Sequence, residues 1–196
     1  IFVLLFSPLF TPLHGETLLR VAVAANFIQP FNEITAEFEK KTGIKVEGVF
    51  TSSGNLYNQI VNGAPYDLFL SADEERPEKL FNSDLSEKPF VYARGAVILW
   101  TGKKNLNRIK TWHEFVEDQE VKRIAIANPA TAPYGASALA AIEKKNLEKI
   151  AESNFVTAQN IAQSFQYAST GSVDAAFCAL SASLSEQGKK GWYYSV

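Results

Sequence analysis

The chain has 196 residues, of which 46% are hydrophobic and 20% charged, and carries a formal charge of −2, enough for one large or two small globular domains. Lys and Arg are scattered and form no basic stripe interleaved with aromatic residues, which excludes a surface that tracks nucleic acid. A single cysteine, Cys178, excludes an internal disulfide framework and a cysteine-rich metal site; inside the apolar run 175–180 it reads as a buried structural thiol.

Residues 1–15, IFVLLFSPLFTPLHG, are apolar and uncharged, yet too short and too broken by Pro8 and Pro12 to span a membrane. They read as the apolar core of a secretory signal that lacks its basic start, with cleavage near Gly15 or Glu16. Once they are removed, His113 is the histidine that remains, which limits zinc sites and histidine-based triads.

Residues 18–25 have the length and apolarity of a strand. Phe27, Phe31, Ile34 and Phe38 then recur at i, i+4, i+7 and i+11, one face of a helix that Gly43 stops behind Lys40 and Lys41. Asn26 therefore sits at a strand-to-helix turn, an N-cap by residue type and a ligand candidate by position. Residues 44–50 alternate as a half-buried strand and deliver Ser52, Ser53 and Gly54 to the mouth of a second helix. Such a mouth exposes backbone N–H groups without intrahelical partners and carries the positive end of the helix dipole, so it serves either as an ordinary serine cap or as an anion site made without a cation. Leu56 and Ile60 give this helix its apolar face, and Asn62-Gly63 ends it.

A third strand is expected over 66–71, followed by an acidic helix over 74–81 that Asp73 caps. The apolar run 90–100 is expected to carry the chain into a second domain. Thr111 and Glu114 form a capping box, which makes His113 a surface helix residue. Residues 123–127 form a strand that turns at Pro133, Tyr134 and Gly135 into a helix bearing Leu139 and Ile142. The stretch Gly135-Ala136-Ser137-Ala138-Leu139 lacks the last glycine of a nucleophile elbow and has no histidine downstream, which argues against a serine hydrolase. A short strand over 155–157 leads to Asn160 and a helix with Ile161, Phe165 and Ala168 on one face, stopped by Gly171. Further strands follow over 173–180 and 192–196.

Polar or small residues thus stand at four strand-to-helix turns, near Asn26, Ser53, Tyr134 and Asn160, and in parallel α/β sheets such turns share the carboxyl edge where ligands bind. With RVAVAANF at 20–27, FTSSGNLYNQIVNGAPYDLFLSAD at 50–73, IANPATAPYG at 126–135 and QNIAQSFQYASTGSVDAAFCAL at 159–180, the chain resembles the periplasmic molybdate-binding proteins of ABC transporters, the ModA family, which have the type II periplasmic binding-protein architecture. That resemblance implies an α/β fold of two domains with a ligand cleft between them. Domain I covers 16–90 and domain II 91–196, and the C-terminal segment that returns to complete domain I is missing, so the chain reads as truncated. It also implies a non-enzymatic periplasmic monomer that binds molybdate or tungstate, needs no cofactor, and hands its ligand to the membrane permease of the transporter. The oxyanion is expected to be held through Ala25, Asn26, Ser53, Tyr134 and Ile161 with no direct metal ligand, Tyr134 and Ile161 giving backbone N–H groups. A tyrosine that one branch of relatives places on the strand near residue 180 is replaced here by Ala179. The readings that compete are a binder of sulfate or another small oxyanion and the effector-sensing domain of a transcription regulator.

Overall fold

The computed structural model describes residues 18–106 and 108–196; the expected signal segment 1–15 lies outside them. Apolar residues placed for burial on both faces of a sheet determine the arrangement. The first strand, β1 (Leu18–Ala24), is followed by a single 3-10 turn at Ala25–Phe27 and by α1 (Ile28–Thr42). Then come β2 (Lys45–Thr51), α2 (Ser53–Val61), β3 (Leu68–Leu70) and α3 (Glu75–Phe81). These strands make a three-stranded parallel sheet in the order β2-β1-β3. Val21, Ala22 and Val23 of the central strand are buried, and Phe31 of α1 packs on Val21 and Val23. Gly48 is required beneath α1, because a Cβ there would lie 2.6 Å from the rings of both Phe31 and Phe50. Ile34, by contrast, is 58% exposed, so the apolar face of α1 is buried at its start and left open farther along. Gly43, at φ 72°, closes the helix in the left-handed conformation that glycine tolerates.

The second lobe holds β4 (Val97–Thr101), α4 (Trp112–Glu117), β5 (Ile124–Ala127), α5 (Pro133–Lys144), α6 (Glu148–Asn154) and β6 (Phe155–Ala158). It continues through α7 (Ile161–Ser169), β7 (Ala175–Ala179), α8 (Leu180–Ser183) and β8 (Trp192–Ser195). Its five-stranded sheet has the order β6-β5-β7-β4-β8, with β5 parallel to β6 and β7, and β4 antiparallel to β7 and β8. Along β4 the side chains alternate between two cores. Leu99 joins Trp112, Phe115, Ile124, Ile142 and Phe177 on one side, while Ile98 and Trp100 join Ala125, Ala168, Ala176 and Cys178 on the other. Cys178 is fully buried, and its apolar surroundings push the thiol pKa far above its ordinary value.

In three places the architecture adds to or departs from the sequence expectation. The run 90–100 is a strand only from Val97; Phe90 is 82% exposed, because this segment crosses between the lobes where no strand pairs with it. Its anchor is Tyr92, whose hydroxyl donates to the Ser71 carbonyl at 3.0 Å and whose ring meets Phe27 edge-on. The helix α6 was not expected; Asn146 at φ 56° breaks the chain after α5, a conformation that asparagine adopts more readily than most residues. The strand expected over 173–180 is shorter, and its last residue belongs instead to α8.

Asp174, just before β7, ties three elements together. Its carboxylate accepts from the N–H groups of Lys122 and Arg123 at 2.8 and 2.9 Å and pairs with the Lys103 ammonium at 2.9 Å. Burial opposes its charge, but Lys103 and the two N–H donors outweigh it and hold the carboxyl below its ordinary range. A lowered folded-state pKa gives stability that is present above the unfolded value and lost as pH falls through the folded one. Asp174→Asn is therefore expected to lower unfolding stability at pH 7 by about 2 kcal/mol, the scale of hydrogen bonds to a charged group. In urea titrations the gap from the parent should close as pH falls below 3.8; a gap that persists there contradicts the charge argument. The α5–β5 junction depends on a missing side chain, since a Cβ on Gly135 would lie 2.1 Å from the Ala127 carbonyl oxygen. Gly135→Ala should cost about 1–3 kcal/mol through overpacking and lower Tm by about 3–10 °C, read by calorimetry.

Candidate anion-binding site

Three helices point their N-termini at one place between the lobes. Ser52 caps α2 by accepting from the Asn55 N–H at 3.4 Å, and Asn160 caps α7 by accepting from the Gln163 N–H at 3.0 Å. The helix α5 starts with Pro133 at its first position, where the missing N–H costs nothing. Each cap serves a donor deeper in its helix. The N–H groups of Ser53, Tyr134 and Ile161 keep no acceptor among the described residues, as the first turn of a helix dictates.

These residues line a small, tight pocket together with Ala24, Ala25, Asn26, Ser52, Ala72, Ala132 and Pro133. Ala25, Asn26, Ser53, Tyr134 and Ile161, the five expected from the sequence, are thus brought together. Among the described residues, no formally charged side chain lines the pocket. Arg76 stands beside Gly54 and is neutralised by its ion pair with Asp73. Apolar packing of Ala25, Ala127, Ala132 and Ile161, with Ile28 and Tyr134 against them, forms the floor.

The hydroxyls are polarised in one direction. Ser53 is fully buried and its oxygen accepts from the Ala72 N–H at 2.9 Å, which leaves its own proton to be donated elsewhere. The Tyr134 oxygen faces the Asn26 amide nitrogen at 3.5 Å. Burial raises the Tyr134 pKa and the Asn26 contact offsets part of the rise, while burial and the neighbouring Tyr134 push Tyr92 up to about 12. Both phenols therefore stay protonated at neutral pH.

Residue type misled the reading of some of these positions. Asn26 makes no side-chain cap; it lies within the 3-10 turn, and its amide crosses to the other lobe. At the second turn the mouth is both serine cap and pocket, since Ser52 makes the cap and leaves the Ser53 hydroxyl for the pocket. Asp73 accepts from the Arg76 N–H at 3.3 Å, as a cap for α3 should, although the formal cap position is Glu74. Ala179 is buried and lies outside the pocket lining. The lobes also meet where the Gly54 N–H donates to the Thr131 carbonyl at 2.9 Å; a backbone contact of this kind leaves no sign in the side-chain pattern.

Residues 19–195 match the family of bacterial extracellular solute-binding proteins. The molybdate-binding protein ModA of Azotobacter vinelandii is 40% identical over 172 residues, 83% of this chain and 65% of that protein. ModA of Rhodobacter capsulatus is 37% identical over 180 residues, 91% of this chain and 69% of that protein. The chain thus spans about two thirds of the length of these relatives. The solved periplasmic molybdate-binding protein of A. vinelandii superposes with a TM-score of 0.84 at 34% identity, covering 91% of this chain and 78% of that one. The sulfate-binding protein SubI of Mycobacterium tuberculosis shares the fold, with a TM-score of 0.71 at 13% identity. On this sequence match and this two-lobed fold, the chain belongs to the bacterial extracellular solute-binding proteins.

Proposed function

We propose that this protein captures molybdate or tungstate in the periplasm and delivers it to the membrane permease of an ABC transporter. The observation that carries the reading is the convergence of the unpartnered N–H groups of Ser53, Tyr134 and Ile161 on an uncharged pocket that also holds the Ser53 hydroxyl. Ala25 and Asn26 would complete the donor set from the first lobe, with no direct bond to the metal. The names of the A. vinelandii and R. capsulatus relatives support molybdate as the ligand. The division into domain I over 16–90 and domain II over 91–196, and a monomeric, non-enzymatic protein without a cofactor, belong to the same proposal.

A set of donors suits a fully deprotonated tetrahedral dianion. A protonated oxyanion brings a hydroxyl that finds no acceptor, and leaving that donor unsatisfied costs about 1–3 kcal/mol. This disfavours phosphate, which keeps a proton at neutral pH. Sulfate is a dianion too, so discrimination against it must come from size: the smaller ion cannot reach all the donors of a rigid cavity at hydrogen-bonding distance. Molybdate and tungstate are close enough in size and charge to compete.

Calorimetric titration with molybdate, tungstate, sulfate and phosphate tests the proposal. Tight binding of the first two alone is expected; equal binding of sulfate, or binding of none, overturns it. Ser53→Ala should weaken molybdate binding by about 1–3 kcal/mol, the scale of a hydrogen bond to a charged group, and an unchanged affinity removes the Ser53 hydroxyl from the site.

A further inference from the structure

Asn26 is gripped by the opposite lobe at two points. Its amide faces the Tyr134 hydroxyl of α5, and its backbone carbonyl accepts from the Ser181 hydroxyl of α8 at 2.9 Å. Ser181, the second residue of α8, lies two residues past the end of β7 and 155 residues along the chain from its partner. Two neighbouring serines in the same stretch behave differently. Ser183 donates back to the Leu180 carbonyl at 2.8 Å and Ser185 to the Ala182 carbonyl at 2.7 Å, the local bonds expected of serine in a short helix. Of these three hydroxyls, that of Ser181 reaches across to the first lobe.

We propose that Ser181 is a positioning residue for the anion site, holding Asn26 by its carbonyl from the second lobe and thereby fixing the closed arrangement of the cleft. Ser181 does not line the pocket, so it acts through Asn26. A hydrogen bond to the carbonyl fixes the peptide plane after Asn26, within the same 3-10 turn that presents Ala25 and Asn26 to the pocket. Together with the Gly54 to Thr131 backbone bond, the Ser181 bond joins the first lobe to the second. When the lobes part, this bond is lost together with the alignment of the Asn26 donors. The ligand should therefore leave faster from a protein without the hydroxyl, while the entry rate stays the same. This inference rests on the oxyanion reading for its ligand and not for its geometry.

The test uses the whole chain with Ser181→Ala and Ser181→Thr. Molybdate dissociation by stopped flow should be about 5–10 times faster in Ser181→Ala, from the loss of one neutral hydrogen bond, with the association rate within twofold of the parent. Ser181→Thr, which keeps the hydroxyl, should restore the parent rate. Distances between spin labels at Lys41→Cys and Lys189→Cys, one in each lobe, supply a readout that needs no ligand, because the native Cys178 is buried. The ligand-free parent should show a minor short-distance component beside the main open one, and Ser181→Ala should lose it. An unchanged distribution in Ser181→Ala, or a Ser181→Thr as fast as Ser181→Ala, overturns the proposal. A parent that binds no oxyanion overturns the functional reading alone, and the label distances still decide the role of Ser181.

Discussion

The organisation of this protein follows from one obligation of the α-helix: its first turn leaves backbone N–H groups that the helix itself cannot satisfy. Three helices discharge part of that obligation with local means, Ser52, Pro133 and Asn160. The remainder, at Ser53, Tyr134 and Ile161, meets in one buried place. An unsatisfied buried donor costs about 1–3 kcal/mol, so closing the lobes is favoured when an acceptor reaches these groups. Because these donors come from both sheets, an acceptor that takes all of them must lie between the lobes. Parallel topology enforces the convergence: β1, β2, β5 and β6 each run into a helical turn at their carboxyl ends, and those ends face one another across the cleft.

The absence, among the described residues, of a charged side chain from the pocket lining is a second consequence of the same arrangement. A lysine in such a site would attract any anion, protonated or not, and would have to be desolvated each time the cleft closed. Helix termini supply partial charge with fixed direction, and the two hydroxyls are oriented by N–H groups behind them, Ala72 for Ser53 and Asn26 for Tyr134. Selectivity then depends on direction and reach more than on net charge. The Arg76–Asp73 pair beside Gly54 fits this scheme, since its charge is cancelled locally.

Much of the fold was legible because periodicity reports burial. The alternation along β2 and the one-sided patterns of α2 and α7 follow from the faces they bury. The five pocket residues were placed by the family resemblance and by their position after strands, and the structure gathers them. What stayed hidden has physical reasons. The Phe90–Tyr92 stretch is as apolar as a strand, but it crosses between lobes, and no local pattern encodes the lack of a pairing partner. The break at Asn146 depends on one backbone angle, and the crossings at Thr131 and Ser181 join residues far apart in sequence. Asn26 misled because its type favours a cap, whereas its amide is drawn to the Tyr134 hydroxyl on the other lobe.

The bonds that join the lobes beside the pocket are all between neutral groups: Gly54 to Thr131, Asn26 to Tyr134 and Ser181 to Asn26. Each such bond contributes about 0.5–1.5 kcal/mol net, and even together they make a modest barrier to opening. An interlobe salt bridge in a dry cleft would either lock the protein shut or be lost to desolvation. A ligand controls an equilibrium only to the extent that its own differential affinity exceeds the bias already present. With a weak neutral clasp that bias is small, and an anion that contacts both lobes only when they are closed can dominate it. In the proposed transport role, the same weakness permits release once another binding event favours the open form. A binding protein that must surrender its ligand therefore has reason to hold its lobes together with hydroxyl and amide contacts rather than with charge.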